Sequence, residues 1–489
     1  MEAHTKKKIV STGVPSLDHL LGGGIPARQA VVVTGDPGTG KTILCSQIAF
    51  AHAARGENVV IATVASEPHD KLLDELREFS FFDPERIGRE IFVLSAYPWV
   101  KKGPKEARDL LLKTIRDRKA KLLFVDGMRS LRDLWQDEAK LRDFLYELNV
   151  GVAQLDAVAL FTTEYSTERL MEYPEATTVD GIVGLSTVRV GGRVVRRARV
   201  VKLRGRGHLT SEHVMHIGPD GVRIVPRLEE ITHPAPHFEP SPARAEFALP
   251  ELDTILQGGL PAKSATMVAG STGVGKTLLS LRFCAAAARK GERALLISYS
   301  EPVERLVARA RRIDLDVRGL LERGDLFIDY RSTVNVEGDD LVSEILSRVE
   351  ETQATRLVID GISDIEQSII DRERVRTLLG ALIVELRNRG VTAIFVKEVA
   401  KIAGPDLDFS DSPIAVTAEN VLFLRHVEMR GRLRRILSVL KMRESGYDPH
   451  VREFAIGEDG VRVLEPLRDG EGLLTGLPRT LLSERDGSA

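Results

Sequence analysis

The segment AVVVTGDPGTGKT, residues 30–42, decides the fold of this chain. A short apolar run leads into a loop of the pattern G-x-x-x-x-G-K-T, whose glycines let backbone N–H groups curl around phosphate oxygens before a helix begins. Lys41 is expected to reach the β and γ phosphates of a nucleotide, and Thr42 to bind Mg²⁺. The phosphate loop as a whole consists of Gly35, Asp36, Pro37, Gly38, Thr39, Gly40, Lys41 and Thr42.

The same arrangement returns in the second half of the chain as ATMVAGSTGVGKT, residues 265–277. Lys41 and Lys276 are 235 positions apart, and Asp126 and Asp360 are 234 apart. Such registration over most of each half predicts a tandem repeat with one ATP site in each copy. The second phosphate loop consists of Gly270, Ser271, Thr272, Gly273, Val274, Gly275, Lys276 and Thr277.

Apolar runs alternate with amphipathic stretches in both halves, for example LLFVDG followed by a helical pattern. This alternation predicts two α/β domains, each with a mostly parallel sheet flanked by helices. We place the first domain at residues 1–230, a Pro-rich linker at 231–246, the second domain at 247–467 and a loose polar tail at 468–489. Ligands in such sheets bind at the carboxyl ends of the strands, where the phosphate loops lie.

Carboxylates follow further strands at matched positions of the repeat. Asp126 and Asp360 are the candidate carboxylates of two Mg²⁺ sites, although an aspartate there could also cap the next helix. Glu67 and Glu301 are the candidate groups that orient or deprotonate the attacking water, with the alternative that each begins a helix. Weaker candidates for sensing the γ-phosphate are Glu164 and Glu398.

Each half closes with a basic segment, residues 187–208 and 425–445. Gly191-Gly192 and Arg430-Gly431 predict the turn of a β-hairpin in each segment. Three interpretations stay open from the residues alone: solvated arginines on a half-exposed hairpin, contact with nucleic acid, or contact with ATP on a neighbouring subunit.

Composition restricts the partners. Net charge is −2, the pI is about 6.6 and aromatic residues make up 5% of the chain, which all weigh against a nucleic-acid-gripping protein. The N-terminus shows no apolar signal-peptide core and no apolar run is long enough to cross a membrane, so the expected location is the cytoplasm. Cys45 and Cys284 are expected to be buried small hydrophobes.

Together, GGGIP, SEP, VDG and KLRG in the first half, and QGGLP, VIDG, VEMRG and KMR in the second, resemble the KaiC-like branch of the RecA superfamily. The resemblance covers residues 8–228 and 245–466. It implies two RecA-like domains, a homo-hexameric double ring and ATP with Mg²⁺ at the subunit interfaces. It also implies that a basic triplet of one subunit reaches the neighbour's nucleotide, which assigns that role to Lys202, Leu203, Arg204, His208, Lys441, Met442 and Arg443.

Two departures from the family pattern bear on activity. Where clock members of the family have paired glutamates, this chain has Ser66-Glu67 and Ser300-Glu301. Where they phosphorylate an adjacent Ser-Thr pair, it has Ala415 and Val416.

The resulting expectation is a regulatory or signalling ATPase that acts with an unnamed protein partner. A serine/threonine autokinase is one alternative, with Ser410, Ser412 and Thr417 as substitute acceptors. A RecA-like nucleic-acid-binding ATPase is another, and a third is that one domain binds ATP without hydrolysing it.

Overall fold

A computed structural model describes residues 8–64, 69–190, 192–233, 241–333, 336–399, 412–429, 431–457 and 460–467. The chain separates into two compact units, residues 1–230 and residues 231–489.

The first unit begins with short elements and continues as alternating strands and helices. In chain order it contains β1 (Ile9–Val10), α1 (Pro15–Leu20), β2 (Ile25–Pro26), β3 (Ala30–Thr34), α2 (Lys41–Ala54), β4 (Val59–Thr63), α3 (His69–Leu76), a 3-10 turn (Pro84–Arg86), β5 (Ile91–Ser95), α4 (Tyr97–Val100), α5 (Pro104–Arg118), β6 (Leu122–Asp126), α6 (Met128–Trp135), α7 (Glu138–Gln154), β7 (Val158–Thr163), α8 (Thr167–Leu170), α9 (Pro174–Thr178), β8 (Gly181–Val190), β9 (Arg193–Leu203), β10 (His213–Gly218), β11 (Gly221–Val225) and α10 (Leu228–Ile231).

The main sheet of this unit has nine described strands in the order β11-β10-β9-β8-β3-β7-β6-β4-β5. The strands from β8 to β5 are parallel, as expected for strands that helices connect across a sheet. β8 and β9 form the expected antiparallel hairpin, in which Val190 pairs with Arg193. A further hairpin, β10–β11, extends the sheet beyond β9, and the sequence analysis did not identify it.

The second unit repeats this plan. It contains β12 (Arg244–Ala245), α11 (Pro250–Ile255), β13 (Leu260–Pro261), β14 (Ala265–Gly270), α12 (Lys276–Ala288), β15 (Ala294–Ser298), α13 (Val303–Arg311), α14 (Val317–Arg323), β16 (Leu326–Tyr330), α15 (Gly338–Thr352), β17 (Arg356–Asp360), α16 (Ile362–Ser368), α17 (Arg374–Asn388), β18 (Thr392–Glu398), α18 (Pro413–Thr417), β19 (Asn420–Met429), β20 (Arg432–Met442), β21 (Arg452–Gly457) and β22 (Gly460–Pro466).

Its sheet has nine described strands in the order β16-β15-β17-β18-β14-β19-β20-β21-β22, which matches the first unit strand for strand. The β19–β20 hairpin is the second of the two that the basic segments predict. The tandem α/β fold with mostly parallel sheets is therefore confirmed. Residues 244–245, at the end of the segment assigned to the linker, pair with β13 and so belong to ordered structure.

The cores lie on both faces of the sheets because the central strands are apolar on both sides. Every residue of β3 and β4 is buried, and in the first unit one apolar cluster packs under α1 and α2 while another packs under α5 and α7. Fully buried, Val-rich strands of this kind are typical of parallel sheets that helices cover on both faces. Within the described ranges, no helix combines the length and the apolar character that crossing a membrane would require.

Both cysteines are buried and free, as the sequence analysis expected. Burial raises the pKa of the Cys284 thiol to about 12. At neutral pH this thiol stays protonated and behaves as a small apolar group.

A buried arginine distinguishes the core of the second unit. Arg356, at the start of β17, is 1% exposed. Its guanidinium donates from Nε to Glu292 Oε2 (2.6 Å) and from Nη1 to the backbone oxygens of Glu246 (2.6 Å) and Phe283 (3.2 Å). The corresponding residue of the first unit is Leu122, which is buried without polar partners to satisfy.

Replacing Arg356 by alanine is expected to destabilise the second unit by about 3–5 kcal/mol, because Glu292 loses its buried partner and two carbonyls lose their donor. Urea unfolding of the full chain measures the effect. Arg323→Ala is the matched control, since Arg323 makes an ion pair with Asp325 while 57% exposed and should cost less than about 1 kcal/mol. Equal destabilisation by the two variants would contradict the assignment.

Candidate nucleotide sites

Both phosphate loops lie at the carboxyl edge of a parallel sheet. β3 ends at Thr34 and α2 begins at Lys41, and in the second unit β14 ends at Gly270 and α12 begins at Lys276. The positive end of each helix dipole therefore points into the loop, where it favours an anion.

A glycine is required at the last loop position before each helix. Gly40 has φ +103° and Gly275 has φ +111°, in the left-handed region that side chains rarely adopt. A Cβ at Gly40 would also lie 2.5 Å from Ile217 Cδ1, and one at Gly275 would lie 2.5 Å from Ile456 Cδ1. These isoleucines belong to β10 and β21, so the strands beyond each hairpin help to shape the phosphate loop.

The two loop lysines are directed into their own loops. Lys41 Nζ donates to Asp36 O (3.0 Å), and Lys276 Nζ donates to Gly270 O (2.9 Å) and Ser271 O (2.8 Å). Burial lowers the pKa of both lysines, while carboxylates nearby raise it in part. A phosphate oxygen that replaced these carbonyl oxygens would stabilise the charged form of the buried ammonium group, because it is negatively charged and accepts a stronger hydrogen bond.

A threonine hydroxyl and an aspartate carboxylate meet beside each lysine. Thr42 Oγ1 lies 3.2 Å from Asp126 Oδ1, and Thr277 Oγ1 lies 2.9 Å from Asp360 Oδ2. Burial raises the pKa of both aspartates, so a bound cation would favour their ionised form. The two repeats thus bring together the residues that the sequence analysis proposed for Mg²⁺.

These oxygen donors fit Mg²⁺, which binds few protein ligands and keeps waters and substrate phosphates in its remaining positions. No group of three or more His, Cys, Asp or Glu side chains suited to a metal occurs among the residues that the structure describes. A cation here would rely on the nucleotide for part of its coordination.

Thr162 is a site residue of the first unit that the sequence analysis missed. Its hydroxyl donates to Asp126 and accepts from the backbone N–H of Gly127 (2.9 Å). The only signal in the sequence is a pair of threonines at the end of the apolar strand β7. Val396 stands at the corresponding position of the second unit, so this brace on the aspartate is confined to the first unit.

The first phosphate loop faces a cavity of about 990 Å³. Glu164 is one of its lining residues, and Arg129 Nη1 lies 3.8 Å from Glu164 Oε2. Arg196 of the basic hairpin also lines the cavity, so at least one hairpin arginine faces the loop of its own chain. Neither arginine was singled out by sequence, because nothing distinguishes them from the many solvated arginines nearby.

Two candidate water-orienting glutamates, Glu67 and Glu301, and the candidate γ-phosphate sensor Glu398 come at or shortly after the ends of strands in the sequence. Glu67, with Ser66, lies outside the described residues. Glu301 is described, follows β15, and accepts a hydrogen bond from the guanidinium of Arg309. Glu398, at the end of β18, accepts a hydrogen bond from the hydroxyl of Thr272 in the second phosphate loop.

The basic triplets lie near the amino ends of the parallel strands, whereas the phosphate loops lie at the carboxyl ends. Lys202 pairs with Ile182 at the start of β8. β8 runs parallel to β3, and the phosphate loop follows the carboxyl end of β3, so the start of β8 lies away from the loop. Lys441 occupies the equivalent place beside Val421 of β19. Neither lysine can therefore contact the phosphate loop of its own domain.

The lysines of the triplets are held by carbonyls of their own chain. Lys202 Nζ donates to Ala176 O (2.8 Å) and Val179 O (2.7 Å), and Lys441 Nζ donates to Ala418 O (2.6 Å). Burial lowers the pKa of both lysines.

The other members of the triplets divide between surface and core. Arg204 and Arg443 are exposed, and His208 is half-buried. Leu203 and Met442 are core residues, so any contact they make with a nucleotide would involve their backbone.

The two described hydroxyls near the expected phosphorylation segment are not exposed for reaction. Ser410 lies outside the described residues. Ser412 is 7% exposed, and the hydroxyl of Thr417 donates within α18 to Pro413 O (3.0 Å). Val416, which has no hydroxyl, is the exposed residue of this short helix.

Fold and site together define each unit as a P-loop nucleotide-binding domain of the RecA-like α/β class. Comparison with known proteins agrees with this class, because the family described as "ATPase: KaiC" matches residues 10–229 and again residues 246–468. The chain belongs to the KaiC ATPase family.

Individual relatives match along almost their whole length. Circadian clock protein KaiC3 of Synechocystis sp. is 27% identical over 96% of this chain and 94% of the relative. Circadian clock oscillator protein KaiC of Picosynechococcus sp. is 28% identical over 96% and 92%, and that of Thermostichus vulcanus is 26% identical over 98% and 93%. The resemblance drawn from the motifs is thereby confirmed.

Proposed function

We propose that each domain binds ATP with Mg²⁺ and hydrolyses it to ADP and phosphate. The observation that supports this most directly is the hydroxyl–carboxylate pair beside each phosphate loop, Thr42 with Asp126 and Thr277 with Asp360. Two separate halves of the chain have the same arrangement, each at the carboxyl edge of its own sheet. An aspartate that only capped the next helix would not require a buried lysine beside it.

The proposed chemistry assigns one task to each group. Thr42 and Thr277 would hold the cation, with Asp126 and Asp360 beside them, and the bound cation would neutralise charge on the β and γ phosphates. Lys41 and Lys276 add positive charge to the same oxygens. Glu67 and Glu301 would orient a water whose oxygen attacks the γ-phosphorus while the bond to the ADP oxygen breaks.

We further propose that the chain assembles with copies of itself into a hexameric ring. In this ring the basic triplets of one subunit meet the phosphate loops of the next. Two observations support a head-to-tail contact: Lys202 and Lys441 lie opposite to their own loops, and Arg204 and Arg443 are exposed there. Heterologous contacts of this kind close into a ring when the rotation between neighbouring subunits closes.

We propose that this ATPase has a regulatory role. The relatives named above are clock proteins, and a ring with two nucleotide sites per chain could present different surfaces to a protein partner in different nucleotide states. Among the described residues self-phosphorylation gains no support, because Ser412 is buried and the hydroxyl of Thr417 is engaged within its helix.

Replacing Asp126 by asparagine is expected to lower Mg²⁺-dependent phosphate release from the first domain by about 10- to 100-fold, since the carboxylate that orients the cation's ligands is lost. Removing Mg²⁺ with a chelator should abolish release by the parent protein. Rates are measured in a Lys276→Ala background, so that only the first domain contributes. Asp133→Asn is the matched control, because Asp133 lines the same cavity while 67% exposed. Release that persists without Mg²⁺ would contradict the proposal.

A further inference from the structure

Glu301 is held by an arginine of the helix that follows it. It comes shortly after β15, its backbone N–H donates to Ser298 Oγ (3.0 Å), and α13 begins two residues later. One turn and a half into α13, Arg309 donates from Nη1 to Glu301 Oε1. The side chains are 42% and 26% exposed, so the pair is reachable by solvent and can open.

This ion pair lies beside the proposed magnesium carboxylate. The charge of Glu301 raises the pKa of Asp360 and the charge of Arg309 lowers it, so both side chains act on that aspartate. Tyr299, the residue after β15, donates its backbone N–H to Asp360 O (3.0 Å) and so fixes this segment to the end of β17. Glu301 is therefore close to the phosphate site, but one of its oxygens is occupied.

The first domain has no arginine at the position of Arg309. The residue of its repeat that corresponds to Arg309 is Glu75, and two carboxylates do not form an ion pair. The two domains therefore differ in sequence at this position although they share their motifs, and Glu67 itself lies outside the described residues.

We propose that Arg309 is a positioning residue that restrains the second domain. By binding Glu301, it withholds this carboxylate from the water that would attack the γ-phosphate, so the second domain retains ATP longer than its motifs would imply. Opening of the pair, for example when an acidic group of a partner competes for Arg309, would release the restraint. The inference rests on the proposed ATPase function and assigns a regulator to one of its two sites.

The test is the steady-state kinetics of phosphate release by the full chain with Arg309→Ala. A half-exposed ion pair restrains its carboxylate only modestly, so we expect roughly a two- to fivefold rise in the kcat of the second domain. KM for ATP should stay unchanged, since Arg309 acts on Glu301 and not on the nucleotide. Arg309→Lys keeps the positive charge and should remain close to the parent rate.

Two double variants locate the effect. The gain should vanish in Arg309→Ala with Lys276→Ala, which removes ATP binding from the second domain, and in Arg309→Ala with Glu301→Gln, which removes the released carboxylate. An unchanged or lower kcat in Arg309→Ala, a raised KM, or a gain that survives Glu301→Gln would overturn the inference. Failure of the proposed function itself is distinguishable, because the parent protein would then show no Mg²⁺-dependent phosphate release at all.

Discussion

Replacing Lys41 and Lys276 by alanine together will weaken ATP binding by about 10- to 100-fold per site, which corresponds to the loss of one hydrogen bond to a charged phosphate. Phosphate release will fall further, by about 10²- to 10³-fold, because the positive charge matters most where negative charge develops in the transition state. Equilibrium binding of a labelled ATP analogue and steady-state phosphate release measure the two effects separately.

The fold should survive this change. Both lysines are nearly fully buried and burial lowers the pKa of each, so their removal relieves a desolvation cost that offsets the lost hydrogen bonds to backbone carbonyls. We therefore expect thermal stability without ATP to change little, while the stabilisation by added ATP disappears. The matched control is Lys121→Ala, since Lys121 makes an exposed ion pair with Asp156 at 3.2 Å. Parent-like ATP binding in the lysine variants would contradict the assignment of both loops.

Removing the two basic groups Lys202 and Arg204 together will reduce phosphate release in the first domain by about 10³-fold or more, if they complete the neighbour's site as arginine fingers do. All variants carry Lys276→Ala so that only the first domain contributes. The exposed Arg116→Ala on α5 is the control for loss of a surface arginine and should leave the rate unchanged.

Mixing subunits separates a contact in trans from one in cis. Coexpression of the Lys202→Ala, Arg204→Ala chain with a Lys41→Ala chain should restore activity, because an intact phosphate loop of the first then meets intact basic residues of the second. If subunits mix at random, about one interface in four is complete. Light scattering should give a mass of several 53.9 kDa chains with ATP and Mg²⁺. The ring proposal would be contradicted if the mixture were no more active than either variant chain alone, or if the protein were a monomer under all conditions.

Much of the fold could be predicted because its signals are local. Glycines with positive φ, apolar strands and helix starts occur within a few neighbouring residues, and the repeat supplies every signal twice. The β10–β11 and β21–β22 hairpins escaped prediction, since their strands are short and only partly apolar. Their pairing depends on contact with β9 and β20. The phosphate loops that β10 and β21 help to shape lie far from these strands in sequence.

The candidate sites divide in the same way. Thr42 and Asp126 were predictable because parallel strands bring their carboxyl ends to one edge of the sheet, wherever the strands lie in the chain. Thr162, Arg129 and Arg196 were not, because ordinary polar residues acquire a role only when packing directs them at the site.

The sequence alone determined that this chain has two P-loop domains of one kind. A phosphate loop is built from contiguous residues, and the groups that bind phosphate are the residues of the motif itself. Only the tertiary structure decided how the side chains around each site are arranged. It directs Lys202 and Lys441 away from their own loops, braces Asp126 with Thr162 and pairs Glu301 with Arg309. These relations depend on strand direction, helix phase and side-chain orientation, which are settled only when the separate elements pack together.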